Sequence, residues 1–159
     1  MSNMFYKCKS WKEIDLTSFI TGKVTDLSSM FHECSSLEII NLSNFNTKNV
    51  INMCSLFCGC SSLKEINLSN FNTENVNNMS YMFYECTLLE EINLSNFNTC
   101  KVTDMNCMFY KCSSLKNINI SNFNINNVIY MNYMFYGCSE ELKMKIRTQN
   151  KNYKNEAFS

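Results

Sequence analysis

The sequence predicts an α/β fold: a right-handed solenoid of about six coils of 26 residues, with one short parallel strand and one short helix in each coil. Three observations predict it. Cys recurs at Cys8, Cys34, Cys60, Cys86, Cys112 and Cys138, and Phe at Phe5, Phe31, Phe57, Phe83, Phe109 and Phe135, every step being 26. A second Phe column (Phe19, Phe45, Phe71, Phe97, Phe123), a Val column (Val24, Val50, Val76, Val102, Val128) and an aliphatic column (Leu16, Leu42, Leu68, Leu94, Ile120) keep the same step. The spacing of apolar residues also changes once inside every unit. A period of this length marks stacked supersecondary units and overrides any division of the chain by length alone.

Residues 63–88, LKEINLSNFNTENVNNMSYMFYECTL, serve as the type unit. Its first part alternates, with Ile66 and Leu68 on one side and Glu65, Asn67 and Ser69 on the other, the period of a short strand with one buried face. In the second part Val76, Met79, Met82, Phe83 and Cys86 step by 3, 3, 1 and 3, a stripe on one side of a helix. SNFNTEN between them reads as the turn, with Thr73 as the helix cap. Neither element can bury its apolar side alone, so the units must stack, with strands pairing in parallel at about 4.8 Å. The handedness rule for strand, crossover and strand gives the right-handed coil. The solenoid is assigned to residues 1–146 and a polar tail to 147–159. In the last unit ELKMKIRTQ reads as a final strand through Met144 and Ile146. Apart from Phe158, which is suited to folding back as a partial cap, NKNYKNEAFS is too polar to pack and is expected to be disordered.

Charge supports the register. One column reads Lys12, Glu38, Lys64, Glu90, Lys116, and another Lys7, Glu33, Gly59, Glu85, Lys111, Gly137, so that opposite signs fall on neighbouring coils. Lys48 over Glu74 adds a further pair, while Glu65 over Glu91 runs against the pattern. Lateral pairs of this kind contribute about 0.2–1 kcal/mol each and favour the in-register stack over a shifted one.

The formal net charge is zero, which gives no electrostatic reason to expect nucleic acid or an anionic membrane as partner. No apolar run approaches the roughly 18 residues of a membrane span, and the first residues show no basic segment followed by an apolar core. With one His and three Gly, neither a nucleophilic triad nor a phosphate-binding loop can be assembled, so no enzymatic activity and no cofactor are expected. The ladder Cys share the inward stripe, and their parallel side chains suit a disulfide poorly, so they are read as core. His32, Cys34, Cys54, Cys58 and Cys60 form the strongest metal candidate, because HxC on one coil lies over CxC on the next. On a helix, however, His32 points away from Cys34 and occupies a column otherwise filled by Tyr6, Tyr84, Tyr110 and Tyr136, so no metal site is assigned. Cys100 and Cys107 stand off the ladder and read as free thiols.

The best candidate for binding is the outward strand face: Asp15, Asn41, Ser43, Glu65, Asn67, Ser69, Glu91, Asn93, Ser95, Asn119 and Ser121. Such a face is extended and rigid, so many weak polar contacts act together, although stacked Asn amides can also bond to one another and simply finish the sheet. Asn41, Asn67, Asn93 and Asn119 each open an N-x-S sequon, and glycans on rungs about 4.8 Å apart cannot sit side by side. With unbridged thiols, this favours a reducing, cytoplasmic location.

LSNFNTENVNNMSYMFYEC and its four fuller relatives carry a motif of the form LSxFxTxxVxxMxxMFxxC. Together with the LxxIxL strand segment, this resembles leucine-rich repeats, and more specifically the BspA-type repeat also found in mycoplasma surface lipoproteins, over residues 1 to about 146. The resemblance implies a leucine-rich-repeat solenoid, a role in adhesion or other protein contacts instead of catalysis, and a cell-surface location. The expected function is a non-catalytic protein-interaction scaffold, with a cell-surface adhesin and a zinc-stabilised structural repeat protein as alternatives. An end-to-end homodimer through uncapped solenoid ends is a further expectation.

Overall fold

A computed structural model describes all 159 residues. Strand β1 (Glu13–Ile14) pairs in parallel with β2 (Ile39–Ile40), and β3 (Glu91–Asn93) with β4 (Asn117–Asn119). Glu13 faces Ile39, and Ile92 faces Ile118, so both pairings carry the 26-residue offset. A second line of single parallel bridges runs from Asp26 through Asn52, Asn78 and Asp104 to Tyr130 with the same offset. Residues 65–67 of the middle repeat are not paired as a strand.

Equivalent residues therefore lie over one another. Phe5, Phe31, Phe57, Phe83, Phe109 and Phe135 form one column of rings, with neighbouring centroids 5.4–5.7 Å apart and planes within 14° of parallel. A single cluster of 44 buried residues contains Phe31 to Phe135 of this column together with most of the Val, Leu, Met and ladder Cys positions, and the half-buried Phe5, Cys8 and Val24 pack against it, so the repeats share one core. Burying a Phe or Leu fully contributes about 1.5–3 kcal/mol.

The expected helix in each repeat is not formed. Residues 79–86 run as linked turns in which successive amides bond in two different directions. The N–H groups of Met82, Tyr84 and Cys86 donate to the carbonyls three residues back, those of Met79, Tyr81 and Phe83. The intervening N–H groups of Met79, Tyr81, Phe83 and Glu85 donate instead to Asp104, Asn106, Met108 and Tyr110 of the next repeat, at 2.8–2.9 Å. An α-helix would spend all of these donors within itself. The alternation needs left-handed backbone at every fourth residue, found at Tyr81 and Glu85, at Ser29 and Glu33, and at Cys107 and Lys111. Gly59 and Gly137 occupy that same position in their repeats, where a positive φ carries no penalty for glycine. Burial follows the expected stripe, since Val76, Met79, Met82, Phe83 and Cys86 are all fully covered.

Polar ladders reinforce the register. Thr73, read from sequence as a helix cap, is buried, and its Oγ1 donates to the Asn98 carbonyl at 3.0 Å while accepting the Asn98 N–H at 2.8 Å. Thr21, Thr47 and Thr99 bridge to Asn46, Asn72 and Asn124 in the same way. Asn70 Nδ2 donates to the carbonyls of Leu42 and Phe45 of the preceding repeat at 2.9 Å, and Asn96 repeats this on Leu68 and Phe71. Of the expected charge pairs, Lys12–Glu38, Lys7–Glu33, Lys111–Glu85 and Lys116–Glu90 form at 2.9–3.6 Å, whereas Lys64 pairs with neither Glu38 nor Glu90, and Lys48 and Glu74 do not pair.

The C-terminal segment departs from its sequence reading. ELKMKIRTQ is not a strand but helix α1 (Glu140–Gln149). Ser139 Oγ accepts the Leu142 N–H at 3.2 Å, Glu140 and Glu141 occupy the first turn, and Leu142 and Ile146 form the buried side, one turn apart. Met144 is exposed. The tail is not left unpacked as its polarity suggested: residues 150–159 cover the end of the stack, with Tyr153 and Ala157 buried as well as Phe158. Tyr133 and Phe135 N–H donate to the carbonyls of Glu156 and Ala157 at 2.7 Å, the bonds that a further repeat would accept. Phe158 stacks on Phe135 at 5.4 Å and Tyr153 meets the same ring edge-on. The C-terminal end is thus not uncapped, and an end-to-end contact through it would first have to displace this segment.

Removing residues 151–159 is expected to lower the melting temperature by roughly 10 °C, because it uncovers Phe135 and discards the buried Tyr153, Ala157 and Phe158. Size-exclusion chromatography should also show self-association through the exposed ring. An unchanged melting temperature would mean that the tail is not a cap.

Candidate functional site

Where each repeat leaves its strand, an Asn closes the turn. Oδ1 of Asn41, Asn67 and Asn93 accepts the N–H of Ser43, Ser69 and Ser95 at 3.0 Å, and Asn119 holds Ser121 through both its N–H and its hydroxyl. Asp15 does the same for Thr17, and these bonds, the backbone N–H first, hold its carboxyl below the ordinary value. The amides thus serve their own turns and do not bond to one another as a stacked ladder. Their Nδ2 groups stay free of protein partners. All eleven residues predicted for the polar strand face are exposed.

The structure draws part of that face into a groove of about 660 Å³. Glu65, Asn67, Glu91, Asn93 and Asn119 line it, whereas Asp15, Asn41, Ser43, Ser69, Ser95 and Ser121 lie outside its lining. Asp15 instead borders a smaller cleft of about 440 Å³ beside Phe5, Trp11 and Phe19. The alternation of the strand segment is only partly realised: Leu68 is buried, while Ile66 and Ile40 are half-buried and contribute apolar surface to the groove. Exposed Ile39 adds to that surface. Helix α1 contributes Leu142, Lys145, Ile146 and Gln149. Those four residues were missed from sequence because the segment was read as a strand. Ser139 before two glutamates, with Leu142 and Ile146 four apart, was the available helix signal.

The second chemistry-bearing set is the thiols. All ten cysteines are free. Cys34, Cys60, Cys86, Cys112 and Cys138 each donate to the carbonyl of a Phe in the preceding repeat at 3.0–3.2 Å. Burial pushes the Cys34 thiol up to about 11 and Cys138 up to about 12, and raises Cys60, Cys86 and Cys112 as well. Off the ladder, Cys58 and Cys107 are also buried, and only Cys100 is exposed. Thiolate, not thiol, is the nucleophile and metal ligand, so the ladder is chemically quiet. His32 stacks on Tyr6 at 4.8 Å, its Nε2 is 3.3 Å from Glu33, and Nδ1 is buried without a partner. No group of three or more His, Cys, Asp or Glu is arranged to hold a metal ion, so His32, Cys34, Cys54, Cys58 and Cys60 are not brought together as ligands. No helix is long and apolar enough to cross a membrane.

Alkylation of the native protein is expected to mark Cys100 first, and the half-buried Cys8 and Cys54 more slowly. Cys34, Cys60, Cys86, Cys112 and Cys138 should react only on unfolding. Peptide mapping that finds the ladder cysteines labelled as fast as Cys100 would contradict the packing.

A family model described as "Mycoplasma protein of unknown function, DUF285" matches residues 1–92 and, in a second overlapping alignment, residues 56–156. Neither a curated protein nor a solved structure matches the chain.

Proposed function

The chain belongs to the DUF285 family, and on that premise we propose that it is a non-catalytic protein-interaction scaffold that binds through its strand face. Its repeats are read as BspA-type leucine-rich repeats wound as a right-handed solenoid, a reading supported by the constant 26-residue offset and the shared inward columns. The observation that carries the functional reading is the groove of about 660 Å³, in which free carboxylates and amides lie beside half-buried isoleucine. A surface of this kind combines apolar area with directional polar contacts, as interaction sites do. The rigid stack spaces those groups regularly, which lowers the ordering cost of a long contact. Display of the same face outside the cell would make the protein an adhesin without changing its chemistry.

Ser69→Arg and Ser95→Arg together test this reading. Both serines are exposed, stand two residues beyond the groove-lining Asn67 and Asn93, and make no hydrogen bond through their hydroxyls, so the turns survive while the long arginine side chains obstruct the face. Affinity capture from the cells that produce the protein should retain a partner on the intact chain and lose it on the double variant. Stability should stay within about 0.5 kcal/mol, as for other surface substitutions. Equal capture by both proteins, or no partner retained by the intact one, would overturn the proposal.

A further inference from the structure

Most of the charged residues lining the groove have their charge met nearby. Glu38 is held by Lys12 at 2.9 Å, Lys116 by Glu90 at 2.9 Å, and Lys145 by Glu141 at 2.8 Å. Lys116 and Lys145 therefore reach the groove already neutralised. Glu65 and Glu91 line it too, but neither has a basic side chain within ion-pair distance. They occupy equivalent positions on adjacent repeats, joined nearby by the Glu90 N–H bonding the Lys64 carbonyl at 3.1 Å. Like charges on neighbouring rungs repel, so this juxtaposition does nothing for the stack itself.

Two further features fall at the same place. Ile39, Ile40 and Ile66 give the groove aliphatic surface that the core leaves uncovered. No backbone hydrogen bond joins residues 38–41 to residues 64–67, and the N–H groups of Glu65, Ile66 and Asn67 have no protein acceptor. The groove draws on four successive repeats, a span of about 14 Å at strand spacing, or roughly four to five residues of extended chain.

We propose that the groove binds an extended segment of a partner protein in which lysine or arginine alternates with aliphatic residues. The cations sit against Glu65 and Glu91, and the aliphatic side chains against Ile40 and Ile66 in the adjacent column. An extended chain places alternate side chains on opposite sides, which matches a surface with Glu65 and Glu91 in one column and Ile40 and Ile66 in the next, Ile39 continuing the first column as an apolar position. Charge complementarity selects this occupant over an acidic or neutral segment. The assignment rests on the interaction-scaffold reading and adds the chemistry of the partner to it.

The test uses the full chain and three fluorescein-labelled peptides of alternating sequence: lysine with valine, glutamine with valine, and glutamate with valine. Fluorescence anisotropy should show the lysine peptide binding most tightly, with an affinity that falls as salt rises. Glu65→Gln combined with Glu91→Gln should weaken it about ten-fold or more, as loss of charge-assisted contacts does. Glu74→Gln, at an exposed glutamate outside the groove, controls for the loss of net charge and should change affinity less than about two-fold. All of these residues are exposed, and unchanged circular dichroism confirms folding of the variants. A lysine peptide that binds no tighter than the glutamine peptide would overturn the proposal, and so would equal losses in the double variant and the Glu74→Gln control. If either occurs while Ser69→Arg with Ser95→Arg still abolishes partner capture, the scaffold reading stands and only this assignment of the groove falls.

Discussion

Every second amide of the turn segment is spent on the neighbouring repeat, and the rest of the structure depends on that. The N–H groups of Met79, Tyr81, Phe83 and Glu85 reach across to the repeat that follows, while those between them close local turns. A segment bonded in this way cannot slide by one residue, because a shift would aim the cross-repeat amides into their own turns and would displace each Phe from the ring above it. The buried threonines add a side-chain donor and acceptor to each junction, and the Asn44, Asn70 and Asn96 amides clasp the preceding repeat. A buried group that loses such a partner costs about 1–3 kcal/mol, so register errors are penalised at many points at once.

The period, the inward columns and most of the ion pairs between repeats were legible in the sequence, because each depends only on which residues recur at the same offset. Phe83 and Cys86 needed no knowledge of backbone conformation to be placed in the core. The conformation itself was not legible. Linked turns and an α-helix both bring residues at i, i+3, i+4 and i+7 to one side, so Val76, Met79, Met82, Phe83 and Cys86 cannot distinguish them. Gly59 and Gly137, in a column otherwise held by Glu and Lys, were the trace of left-handed backbone that the helix reading passed over. Much of the asparagine content, which resembles compositional bias, has a geometric role in these ladders and turns.

The candidate site divides along the same line. Glu65, Asn67, Glu91, Asn93 and Asn119 could be found by alternation, since their exposure follows from the repeat. Leu142, Lys145, Ile146 and Gln149 could not, because α1 lies beyond the last repeat and its path is not periodic. The unpaired Glu65 and Glu91 are informative because they set like charge over like charge, whereas the other charged columns alternate in sign. A charge column that breaks its own rule beside an aliphatic groove is explained better by an external cation than by the stability of the repeats.

Side-chain NMR on protein with isotopically labelled phenylalanine tests the stacked register most directly. The account predicts cross-relaxation peaks between the ring protons of Phe31 and Phe57, Phe57 and Phe83, and Phe83 and Phe109, whose centroids lie 5.4–5.7 Å apart. No such peaks should join Phe31 to Phe109. Strong contacts between rings of non-adjacent repeats, or none between adjacent ones, would contradict it.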